Sequence, residues 1–261
     1  MKQRLLSLVT VQRALCALAL ALSTGAAHAF FGSIDYISDI TVTKSVMESN
    51  LNWVRANQKC GPAGVNAAGF CIREGGQSNN PQMQALPRGA SASSLDTGKP
   101  FATKKGIYRL VAPIPAENQP EAAKMFTSLI LTFEQTIPRT YGIPANNLAS
   151  AYAAVLAGSY AAYTNRPFPE NEVKPLFEQA QRGMLDNPQI SQVSLEDKAA
   201  MYQVWVGTGM YLLGWQANLA KNPDPQQQAK MQKAGANVLR SMLGGADPGR
   251  VRFTASGMQL N

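Results

Sequence analysis

The chain has 261 residues, 45% of them hydrophobic and 15% charged, with a formal net charge of +8, three cysteines and one histidine. That is ample apolar material for a packed domain and excludes a chain disordered throughout. Three cysteines are too few for a disulfide-built scaffold or a four-cysteine zinc site, and the positive charge is too sparse to mark a nucleic-acid-binding protein.

Residues 1–29 read as a secretory signal peptide. Lys2, Arg4 and Arg13 form a basic n-region, Ala14 to Leu22 is a short apolar run, and Ala27-His28-Ala29 is a small-x-small cleavage site, with the cut expected between Ala29 and Phe30. Ser23, Thr24, Gly25 and His28 interrupt the apolar stretch that a membrane anchor would need, and no cysteine stands at the cut as it would in a lipoprotein. Cleavage would leave 232 residues, with 21 bases against 16 acids and no histidine. Serine–histidine and cysteine–histidine catalysis, histidine-ligated metals and histidine acid–base chemistry are then excluded. No metal site and no cofactor is implied, and the expected location is periplasmic or secreted.

Export leaves Cys60 and Cys71 to pair. The loop they close, 12 residues counting both cysteines, would be held by a structural disulfide contributing about 3 kcal/mol on the chain-entropy account. A redox pair would stand two residues apart among activating neighbours, and nothing of that kind is present. Residues 30–73 are read as an N-terminal extension carrying this loop, with a helix over Thr43–Asn57 suggested by Met47, Leu51 and Val54. Residues 74–107 are rich in Gly, Ser, Asn, Gln and Pro and read as a flexible linker, with Lys99, Lys104 and Lys105 as a small basic cluster.

Residues 108–261 read as a helical domain. The first helix opens at Asn118-Gln-Pro-Glu121, carries Ala122, Phe126, Leu129, Ile130, Phe133 and Ile137 on one face, and is expected to stop near Pro138. A second runs from an Asn146 or Asn147 cap to about Thr164, without a charge, and its i+4 rows sort by size: Leu148, Tyr152, Leu156, Tyr160 against Ser150, Ala154, Gly158, Ala162. A third is expected over about Glu172–Asp186, with Pro175 in its first turn. Ser194-Leu-Glu-Asp197 opens a fourth, reaching about Lys221 and uncharged from Ala199 to Ala220. Gln203, Thr208, Gln216 and Asn218 argue for a central buried helix rather than a membrane span. Gly207 and Gly214 share a face and are expected to seat against the small rows of the second helix. Asp224-Pro225 opens a fifth helix through about Leu243, and Arg250–Thr254 is short and extended. The class is all-α: a compact bundle of about five helices with an irregular N-terminal extension.

Without histidine, Glu134 is the best acid candidate. It borders the apolar stripe beside Phe133 and Ile137, where a carboxylic acid acquires a raised pKa and can act as a general acid. A glycosidase needs a second carboxylate across a cleft; Glu121, Asp186 and Asp197 are present, but all lie near helix ends. The tyrosines and tryptophans of the second and fourth helices read first as core. Tyr152, Tyr160 and Trp205 are the weak candidates for lining a binding cleft.

From about Tyr108 to Met258 the chain resembles a family of uncharacterised bacterial exported proteins, a domain of unknown function. The resemblance rests on Tyr141-Gly-Ile-Pro-Ala-Asn-Asn-Leu-Ala-Ser-Ala-Tyr152, on Ser194-Leu-Glu-Asp197 and on Leu243-Gly-Gly-Ala-Asp-Pro with Thr254-Ala-Ser-Gly257. It implies a helical exported bacterial domain and brings no activity or site residues. The expected function is a non-catalytic binding or scaffolding module of the cell envelope, its partner an envelope protein or a cell-wall component, without a transmembrane span in the processed chain and without nucleic acid. The alternatives are a carboxylate-dependent cell-wall glycan hydrolase and a secreted factor acting on a host or competitor.

Overall fold

A computed structural model describes residues 91–186 and 188–260. The signal peptide and its Ala29–Phe30 cut, the helix expected at 43–57, the Cys60–Cys71 pair and residues 74–90 lie outside the described residues. The described part is mostly helical, as expected: six α-helices and one small antiparallel hairpin. In chain order they are α1 (Lys105–Val111), α2 (Gln119–Tyr141), α3 (Leu148–Thr164), α4 (Glu170–Leu185), α5 (Leu195–Lys221) and α6 (Pro225–Met242), then β1 (Val251–Thr254) and β2 (Gly257–Leu260).

Three helix starts follow the capping chemistry of the sequence. The Asn147 side chain accepts from the Ala149 N–H at 2.9 Å, Ser194 Oγ accepts from the Asp197 N–H at 3.1 Å, and Asp224 accepts from Gln226 and Gln227 at 2.9 and 3.0 Å. Asn118 differs: it closes a 3-10 turn ahead of α2 and its side chain makes no cap bond. Helix α2 also runs past Pro138. The proline falls in the last turn, where its missing N–H leaves only one carbonyl unbonded, and Gly142 at φ 64° ends the helix with its N–H on the Pro138 carbonyl. Helix α4 starts two residues before its expected position, which moves Pro175 into the second turn.

Helix α3 is the centre of the bundle. Every residue from Leu148 to Ala162 except Tyr160 is buried. The row Ala154, Gly158, Ala162 forms its seam with both neighbours. Gly158 lies on the Gly209 backbone of α5, and a Cβ on Gly209 would strike the Ala154 carbonyl. On α6, Gly235 sits against Ser159 and Tyr163, where an added Cβ would come 2.6 Å from the Ser159 oxygen. The small row thus acts as expected, but its partner is Gly209. Gly207 faces the other way: its missing side chain makes room for Leu110 of α1 and Phe126 of α2. A helix turn places residues two apart on nearly opposite faces, so two glycines serve two interfaces.

Residues 91–107, read from sequence as the end of a linker, are packed onto α5. Leu95, Thr97, Pro100 and Thr103 are buried, and the Thr97 N–H donates to the Asn146 carbonyl at 2.9 Å. The physical reason lies in α5. Buried Lys198 donates to the Ser94 carbonyl at 2.6 Å. Gln203, fully buried, donates to the carbonyls of Pro100 and Thr103 at 2.5 and 2.7 Å and accepts from the Ile107 N–H at 3.0 Å. Two polar side chains therefore satisfy the backbone of an irregular segment whose composition suggested solvent.

The expected extended stretch at Arg250–Thr254 pairs with Gly257–Leu260. Gln179 of α4 completes the edge of β2, donating to the Met258 carbonyl at 2.8 Å and accepting from its N–H at 2.6 Å. Phe253 plugs the hairpin into the bundle between Tyr160 and Phe168, with ring centroids 4.7 and 4.9 Å away.

Candidate functional site

Glu134 follows Phe133 and precedes Ile137 by three positions, and both neighbours face the core. The helical period carries its carboxyl to the margin of that face, half-buried, with Oε1 out of reach of solvent. Opposite stands the hydroxyl of Tyr202 on α5, a fully buried residue whose ring is held edge-on by Phe133 at 6.4 Å. The hydroxyl and the carboxyl influence each other electrostatically. The backbone of Asn146, in the turn between α2 and α3 at φ 41°, approaches the same hydroxyl.

Burial pushes the Glu134 carboxyl up to about 6, and the Tyr202 hydroxyl opposes this. Tyr202 is held far above the usual phenol range, first by burial and then by the neighbouring carboxylate. The pair therefore offers one carboxyl that exchanges its proton near neutral pH and one hydroxyl that stays protonated. An acid of this kind can donate a proton; a glycosidase needs a second carboxylate as well.

Each of the three acids weighed as its partner stands at a helix end. Glu121 is in the first turn of α2, thirteen residues and about 20 Å of helix from Glu134, with the Lys124 ammonium 3.8 Å away. Asp197 accepts from Ser194 Oγ at 2.7 Å inside the α5 cap. Asp186 lies exposed beyond the last turn of α4. Among the described residues no three histidine, cysteine, aspartate or glutamate side chains gather where a metal could be held.

The aromatic candidates divide. Tyr152 and Trp205 are buried against each other in a T-shaped pair at 5.6 Å, and the Tyr152 hydroxyl donates to the Met242 carbonyl at 3.3 Å. Both are thus core residues joining α3, α5 and α6. Tyr160 is half-buried in the Phe168–Phe253 cluster. The buried polar residues that matter structurally, Tyr202, Lys198 and Gln203, were not singled out as a site by sequence. Gln203 carried a signal, as an amide within a 22-residue uncharged stretch. Lys198 carried one only in its position, immediately ahead of the uncharged run that begins at Ala199. Burial holds its ammonium below the usual lysine range, against the opposing pull of Asp96.

Among the described residues no helix is long and apolar enough to cross a membrane. Comparison with the curated proteins and with the solved structures yields no match. A family model does match, and it extends the resemblance toward the N-terminus, past the residue 108 boundary and over residues 30–107, which the sequence motifs had left outside. With residues 9–261 matched, the chain belongs to the family of unknown function DUF6683.

Proposed function

We propose that this protein is a non-catalytic binding or scaffolding module of the bacterial cell envelope. The observation that carries the reading is how the polar side chains of the described residues are used. Asn147, Ser194 and Asp224 cap helices, Lys198 and Gln203 hold backbone carbonyls, and Gln179 completes a strand edge. Among the described residues, Glu121 and Asp197, two of the carboxylates weighed as partners for Glu134, are engaged by Lys124 and by the Ser194 cap. The signal-peptide pattern of residues 1–29 supports an exported location. Crosslinking in the native envelope followed by mass spectrometry tests the reading. A specific protein or cell-wall fragment should be recovered with the chain; recovery of nothing specific counts against it.

A second reading, a carboxylate-dependent glycan hydrolase, is favoured by one feature, the proton-exchanging carboxyl of Glu134. Purified protein incubated with peptidoglycan should then release sugar, and Glu134→Gln should abolish release. Absence of turnover disposes of this reading.

A further inference from the structure

The packed segment ahead of α1 presents an unusual face. Four large apolar side chains are exposed among the described residues, and three of them belong to the segment ahead of α1, to α1 and to the start of α5: Phe101 at 37%, Tyr108 at 63% and Leu195 at 64%. Lys99 and Lys104 of the same segment are exposed as well. Tyr108 is one helical turn beyond Lys104, so the two share a face. The first turn of α5 is brought alongside by Glu196, which accepts from Lys105 Nζ at 2.7 Å and from Thr103 Oγ1 at 3.4 Å, and this sets Leu195 next to the segment.

The edge is held rigidly from beneath. Gln203 binds the carbonyls on either side of Phe101 and Ala102, and Gly106 lets α1 lie directly on Ala200 and Gln203. Buried Pro100 and Thr103 point in, so Lys99, Phe101 and Lys104 are left on the outside. Of the three acids nearby, Glu196 pairs with Lys105, Asp197 accepts from Ser194 Oγ in the α5 cap, and Asp96 acts electrostatically on buried Lys198, against the four lysines Lys99, Lys104, Lys105 and Lys198. The net character of the edge is cationic, with aromatic and aliphatic side chains between the charges.

We propose that this edge is a docking surface for an anionic lipid bilayer. Charge complementarity calls for an anionic partner, and the residue types select the kind. Protein–protein interfaces are depleted in lysine and favour arginine, whose planar fork reads carboxylates. A bilayer surface suits lysine, which reaches headgroup phosphates at the end of an apolar stem, and tyrosine, which sits at headgroup level. No helix needs to insert: Phe101, Tyr108 and Leu195 enter the interfacial zone while the lysines stay with the phosphates. The inference deepens the envelope reading above, on which it rests only for where such a surface would be met.

Cosedimentation of the processed chain, residues 30–261, with vesicles tests it. Phosphatidylcholine vesicles and vesicles containing about 30% phosphatidylglycerol are compared, with soluble poly-glutamate as competitor, for the wild type, the Lys99→Glu/Lys104→Glu double variant and Tyr108→Ser. The wild type should bind the anionic vesicles preferentially and less so as salt rises. Each lysine near such a surface is worth about fivefold, so the double variant should lose tenfold or more. Tyr108→Ser should lose a smaller factor, with melting temperatures unchanged in both variants. Equal binding to neutral vesicles, undiminished binding by the double variant, or binding to poly-glutamate without binding to anionic vesicles would each overturn the proposal. Such a failure leaves the crosslinking result untouched, and an empty crosslinking experiment leaves vesicle binding untouched, so the two readings fail separately.

Discussion

Glu134 and Tyr202 show how one side chain can be placed at the edge of usefulness. The helical period delivers the carboxyl to a boundary, and Tyr202 shields one oxygen while the other side meets water. Because the folded carboxyl titrates near 6, above the ordinary 4.5, the proton favours the folded state. Stability should therefore be highest below about pH 4.5 as far as this group is concerned, and fall as pH rises through about 6. The change is about 1 kcal/mol once solvent screening at a half-exposed site is allowed for. Glu134→Gln removes the proton equilibrium, so urea melts at a series of pH values should show a flatter profile and a variant more stable than wild type at neutral pH. At the same scale, Gln203→Ala strips two carbonyls and one N–H of their partner. A loss on the order of 3 kcal/mol is expected in urea unfolding, with faster amide exchange over residues 100–107. Gln203 was visible in the sequence as an interruption of an apolar helix, whereas its partners were not. They are backbone atoms about a hundred residues away, and no side-chain pattern announces them.

Helix α3 illustrates what a size-sorted row does. Its alanines and Gly158 contribute little apolar surface each, but they allow α5 and α6 to approach backbone to backbone, where dispersion contacts accumulate. Gly209→Ala would press a methyl into the Ala154 carbonyl. We expect destabilisation of about 2 kcal/mol or more, measured by thermal or urea melting. The neighbouring Gly207→Ala meets the flexible end of Leu110 first, at 2.7 Å, so its cost should be smaller. The contrast tests the assignment of the two faces. The existence and ends of α3, α5 and α6 were legible because caps and prolines punctuate them. The pairing of particular glycines was not, since a row two positions away on the same helix satisfies the same pattern of small residues.

Across the whole molecule, the hairpin at the C-terminal end ties α3 and α4 together. Phe253 joins Tyr160 and Phe168, and Gln179 borrows the edge of β2. Truncation after Gly249 should expose this aromatic cluster, lower the melting temperature by several degrees and increase dye binding at apolar surface, while leaving far-UV helicity largely intact. The irregular segment 91–104 plays the matching role at the other end, held by α5 rather than by a sheet.

What could be read from the chain alone was local in origin. Capping side chains, proline positions, the period of apolar residues and the size-sorting of α3 all act within a few residues, and they set the all-α class and most helix limits. The border position of Glu134 was legible for the same reason. Everything that depends on distant atoms meeting was settled only by packing. Tyr202 opposite Glu134, Gln203 beneath residues 100–107, Gly209 against Ala154 and the cationic apolar edge around Tyr108 each join residues far apart in sequence. Their energies arise from desolvation and close approach, quantities that exist only once the helices are assembled.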